Sequence, residues 1–144
     1  MKSADFMRAL PNAVRAKLPK SLQPFKNNLR PWLVQFYYGN ALLHYEVVTH
    51  GERRGLLEIG LHFESRNPDE NLRLLNGVLQ HLFEIKAELG DQVEAEMWDK
   101  GWTKVYETLP LETMTDAYLE RVAERLARLM TVLQPILENL TRHA

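Results

Sequence analysis

One pattern occurs twice in this chain and restricts its fold more than any figure of composition. Two short runs of alternating apolar and polar residues are joined by turn residues and followed by a long amphipathic helix. The first copy runs from Leu42 to Gly90 and the second from Gln92 to about Leu140. Alternation with a period of two marks strands with one buried face, and apolar residues spaced by three and four mark a helix lying on that face. Strand, strand, helix, repeated, predicts an α+β fold: an antiparallel sheet with long helices packed on one side. With 144 residues, 45% of them hydrophobic, the chain can close a single core without metals or disulfides as staples.

In the first copy, Leu43, Tyr45 and Val47 alternate, as do Leu57, Ile59, Leu61 and Phe63, with turn residues at His50 to Gly55. The opposite face of this hairpin carries His44, Glu46, Glu58, His62 and Glu64. Pairing the strands so that partners sum to roughly 104–106 brings His44 near His62 and Glu46 near Glu58. Asn67-Pro68-Asp69-Glu70 then supplies an N-cap, a proline at the first helical position and an acidic first turn. One helix is expected from there to Gly90. In the second copy, Gln92 to Trp98 and Trp102 to Leu109 flank the loop Asp99-Lys100-Gly101, and Thr113 with Asp116 resembles a capping box. The final stripe, from Leu119 to Leu140 with a kink expected at Pro135, is long for so small a domain. Its surplus predicts a homodimer.

Ahead of the repeat, Met1 to Arg30 holds Lys2, Arg8, Arg15, Lys17, Lys20, Lys26 and Arg30 against Asp5 alone, a net charge of +6. The whole chain carries -1, so the remainder carries -7. The reading divides the chain into a basic, proline-punctuated arm at 1–31 and an α+β domain at 32–144. A helix from about Ala4 to Leu18 fits the spacing of Phe6, Leu10, Val14 and Leu18. Trp32 to Tyr38 reads as a first strand, which makes a sheet of about five strands in the order (α)βββαββα. The arm is expected to fold onto its own acidic body or a partner's, with phosphate contacts as the alternative.

Absence of cysteine excludes disulfides, thiolate nucleophiles, iron–sulfur clusters and Cys-ligated zinc. There is no phosphate-binding glycine loop, HExxH, nucleophile elbow or kinase signature. What remains is the set His44, Glu46, Glu58, His62 and Glu64. Imidazole and carboxylate suit zinc, manganese or iron and also acid–base work. The competing reading, which the pattern favours, is a solvated polar face of an antiparallel sheet. Trp98, Trp102 and Tyr106 form a candidate partner-binding platform, against plain core packing. No catalytic or cofactor-binding residue is assigned.

The order of elements is similar to the type III secretion chaperone fold, whose members are small dimers that bind protein segments. The stretch Ala41 to Leu140, with its helix end Ile85-Lys86-Ala87-Glu88-Leu89-Gly90 and Trp98 after a short acidic strand, resembles an uncharacterised bacterial domain found beside predicted restriction-type nucleases. Neither resemblance supplies catalytic residues. The expected function is a non-enzymatic protein-binding or adapter domain, homodimeric and without a cofactor. A nucleic-acid-associated accessory domain using the basic arm is the alternative, and a metal-assisted hydrolase at His44 and His62 the third reading. No apolar run spans a bilayer and no secretory signal opens the chain, so no membrane association and a cytoplasmic location are expected.

Overall fold

The computed structural model describes residues 1–50 and 55–143. Its elements are α1 (Ser3–Arg15), β1 (Lys26–Arg30), β2 (Leu33–Tyr37), β3 (Leu43–Thr49), β4 (Leu56–Phe63), α2 (Pro68–Leu79), α3 (Leu82–Leu89), β5 (Glu94–Met97), β6 (Thr103–Pro110) and α4 (Asp116–Arg142). The strands form one antiparallel sheet in the order β1-β2-β3-β4-β6-β5. No helix among the described residues is long and apolar enough to cross a membrane.

The α+β architecture follows from the alternation. Val34, Phe36, Tyr45, Val47, Leu57, Ile59, Leu61, Phe63 and Val105 point to one face of the sheet and are buried there. Against them lies α4, which buries Leu119, Val122, Leu126, Leu129, Met130, Leu133 and Leu137 and starts at Thr115, whose hydroxyl accepts from the Tyr118 N–H. Its stripe is therefore consumed by its own chain, and the surplus from which a dimer was expected is not there. The helix also runs through Pro135 as one 27-residue element. One ionic group is built into this apolar layer: Glu107 of β6 is buried and its two carboxylate oxygens pair with Arg125 of α4.

The residues ahead of β1 are part of the same core, through side chains from Phe6 to Phe25. Phe6, Met7, Leu10 and Val14 of α1 are completely buried, Phe6 stacks on Tyr118 at 5.6 Å, and Lys17 pairs with Glu120 at 2.7 Å. Four such side chains stabilise by about 1.5–3 kcal/mol each. Their sum is comparable with the whole net stability of a small domain, about 5–15 kcal/mol. Pro11 is accommodated inside α1, where it is buried.

The structure departs from the sequence pattern in two places. β1 makes a sixth strand; its sequence Lys-Asn-Asn-Leu-Arg has little strand propensity, and it forms by pairing with β2 as an exposed edge. The single helix expected from Pro68 to Gly90 is two, broken at Gln80–His81, where the His81 N–H bonds the Val78 carbonyl in a tighter turn. Ser65, Asn71 and Gly101 explain how α2 is set: the buried Asn71 side chain bonds both backbone groups of Ser65 and the Gly101 carbonyl. The turn expected at His50 to Gly55 lies, over residues 51–54, outside the described residues.

Candidate functional site

The face of the sheet away from the helices carries the polar partners of the alternating core residues. The register sets His44 directly opposite His62, and His62 opposite Lys104. Glu46 pairs with Gly60 and Glu58 with Val48, so the two carboxylates sit diagonally rather than head on. Gly60 leaves a dent among them. A Cβ there would lie 2.7 Å from the Tyr106 Cβ and 2.9 Å from the Val105 carbonyl oxygen, so no larger residue fits without displacing β6.

This face was expected to be solvated, and at its centre it is not. His44, Glu46, Glu58, His62 and Lys104 are all buried, and Glu64 is only 15% exposed at its side chain. The reason lies in the second copy of the repeat. Trp98 packs edge-on against His62 at 5.6 Å, Trp102 packs on Trp98 at 5.3 Å, and the Lys104 ammonium lies 4.2 Å from the Tyr106 ring centre. Trp98, Trp102 and Tyr106 are thus half-buried walls of the cluster.

Within the cluster nearly every polar atom is spoken for. His62 Nε2 is 3.1 Å from Glu58 Oε2, and its Nδ1 is 3.1 Å from Glu64 Oε2. Lys104 donates to Glu58 Oε1 at 2.8 Å, and His50 Nε2 is 3.1 Å from the same oxygen. His44 Nδ1 donates to the Ala41 carbonyl oxygen at 2.8 Å, since that oxygen only accepts, and Nε2 faces inward, 3.3 Å from the Gln35 amide nitrogen. That Nε2 is 3.4 Å from Glu46 Oε1 and 3.7 Å from Glu64 Oε2, while Gln35 donates to Glu46 Oε1 at 3.1 Å. One ligand atom from each of His44, Glu46, His62 and Glu64 falls within 4.8 Å of the others.

The electrostatics follow from this packing. Burial opposes the charged form of His62, but hydrogen bonds to Glu58 and Glu64 outweigh it and raise its pKa to about 9. Burial also opposes ionisation of Glu58; hydrogen bonds from His62 and Lys104 win and hold its carboxyl down at about 2. Glu46 is lowered too, by His44, His62 and Gln35 against its own burial. Stability therefore depends on pH in chelator-treated protein. The His62 contribution is fully present below its unfolded value near 6.5 and is lost as pH rises towards about 9. The Glu58 contribution is present above about 4.5 and is lost as pH falls towards about 2. Denaturant midpoints measured across pH should thus decline between about 6.5 and 9, and His62→Gln should remove that decline.

The sequence singled out five of these residues, and four of them supply the clustered ligand atoms. It missed Lys104 and Gln35, which hold Glu58 and Glu46 in place. Both become visible only through the register, since Gln35 pairs with Glu46 and Lys104 with His62. His81, read as a boundary residue, sits half-buried at the break between α2 and α3, 3.6 Å from Glu84 and outside the cluster. No protein-family model, curated protein or solved structure matches the chain.

Proposed function

We propose that this chain is a binding domain whose sheet is organised around one buried divalent-metal centre. The observation that carries the proposal is the meeting of His44, Glu46, His62 and Glu64 ligand atoms within 4.8 Å, with each imidazole already oriented through a second hydrogen bond. Such orientation, by a carbonyl for His44 and by Glu58 for His62, is what metal-ligating histidines need to fix their tautomer. Charge supports a divalent ion in particular. The carboxylates of Glu46, Glu58 and Glu64 against Lys104 and a protonated His62 sum to one net negative charge. Replacing that proton by a doubly charged ion brings the buried group to neutrality. Two imidazoles and two carboxylates suit zinc, manganese or iron.

Burial favours a structural role. Catalytic metals keep a coordination position open to substrate, whereas structural sites are closed by protein ligands. Here the ligands are covered by Trp98 and by one another. The chain's work then belongs to its surfaces, in keeping with the adapter reading of the sequence. Elemental analysis of purified protein tests the metal centre; a ratio near zero after loading with zinc, manganese and iron refutes it.

A second reading, self-association, is favoured by Phe83, which stands 88% exposed on α3 beside Leu82 and Ala87. Phe83, Leu82 and Ala87 lie together as one apolar patch, and a patch of this kind is most simply covered by a second copy. Sedimentation should then show a dimer at micromolar concentration and a monomer for Phe83→Asp. A monomeric parent protein refutes this reading and leaves the metal centre untouched.

A further inference from the structure

The charge along the sheet is polarised from one edge to the other. From Phe6 to Tyr45 the sequence contains no aspartate or glutamate and six basic residues. The β1–β2 hairpin lies within this stretch at one edge. At the opposite edge, β5 carries Glu94 and Glu96. All five residues of β1 are exposed, and neither Lys26 nor Arg30 makes an ion pair among the described residues. Trp32, at the tip between β1 and β2, is 54% exposed. This is costly furniture for an edge strand that only needs to avoid aggregation, because a lysine alone serves that purpose.

We infer that the β1–β2 hairpin, through Lys26, Asn28, Arg30 and Trp32, is a docking surface for single-stranded nucleic acid. Three features select that occupant. Alternation along β1 places Lys26, Asn28 and Arg30 on one side of the strand, with Lys26 and Arg30 separated by roughly 13 Å. Two cations in line track a phosphate backbone, and the amide between them offers both a donor and an acceptor to base edges. Trp32 supplies an open aromatic face for a base, which an acidic peptide would leave unused. The hollow beside it, lined in part by Asn27, Leu29, Leu33 and Gln35, leaves room for a splayed base. The acidic β5 edge repels the polymer, so it follows the hairpin instead of crossing the sheet.

This inference rests on the reading of the chain as a binding domain, and its residues include none of the four metal ligands. Deleting the N-terminal segment is no test, because α1 is core. The experiment uses the full chain and fluorescence anisotropy with labelled oligodeoxythymidylate, over a range of salt. Binding should weaken with salt at a log–log slope of about -1.4, the value for two phosphates neutralised on a single strand. Trp32→Ala should weaken it roughly tenfold with the slope retained, and Lys26→Ala with Arg30→Ala should bring the slope close to zero. All three side chains are exposed, so these variants keep the fold and the metal content of the parent. No binding at low salt, unchanged binding in both variants, or equal competition by polyglutamate overturns the proposal. Oligonucleotide binding that persists in chelated protein, beside metal content that persists in the hairpin variants, separates a failure of this inference from a failure of the metal centre.

Discussion

Purified protein loaded with zinc, manganese or iron should hold about one ion per chain, and removing it should lower the melting temperature markedly. An ion bound only by the folded state, at a hundred times its dissociation constant, stabilises by about 2.7 kcal/mol. In a domain of this size that is a shift on the order of 5–10 °C. Glu64→Gln is the discriminating variant, because Glu64 is the most exposed of the four ligands and its loss least disturbs the packing. It should abolish the metal-dependent part of the melting temperature and leave the chelated protein close to the parent. Lys104→Met should act differently. It removes no ligand, yet it takes away the ammonium that holds Glu58 Oε1, so the carboxylate that orients His62 is less firmly placed and metal affinity should fall about 10- to 100-fold. If calorimetric titration shows no heat for any of the three metals and the melting temperature ignores chelator, the cluster is a self-sufficient polar network.

How much of this was legible in the sequence is decided by which interactions are periodic. The hairpin β3–β4 was readable because its core residues alternate without a fault from Leu43 to Phe63, and the pairing sum that follows from its turn placed His44 opposite His62, as found. The same pattern misled about the exposure of the opposite face. Alternation says that Glu46, Glu58 and His62 point away from the helices, but their covering comes from Trp98 and Lys104, some forty residues on, through the β4–β6 pairing. Local periodicity carries no information on that neighbour. β1 was missed for a related reason: Lys26 to Arg30 forms a strand because β2 offers an edge, with almost no help from propensity. The stripe on α4 is no argument for a dimer, since its length measures how much apolar surface must be covered and not which element covers it. Here α1 and the sheet do so.

Glu107→Ala should be the most damaging single substitution away from the metal cluster. Glu107 breaks the apolar run on the core side of β6, where Val105 and Leu109 flank it at alternate positions, and its carboxylate lies almost entirely out of water. Its charge is tolerable because Arg125 meets both oxygens, and Arg125 also donates to the Leu89 carbonyl at the end of α3. One guanidinium thereby ties the sheet, α3 and α4 together. Truncating Glu107 leaves that cation in a mostly buried position with a single carbonyl for company, and removing one member of a buried pair typically costs about 3–5 kcal/mol. Arg125→Leu alone should cost a similar amount, for it strands the carboxylate instead. The double variant, Glu107→Leu with Arg125→Leu, removes both charges and substitutes apolar volume, so it should recover most of the loss. Denaturant unfolding of the four proteins gives the cycle directly. Single variants within about 1 kcal/mol of the parent would mean that water reaches the pair and that the carboxylate is not buried in solution.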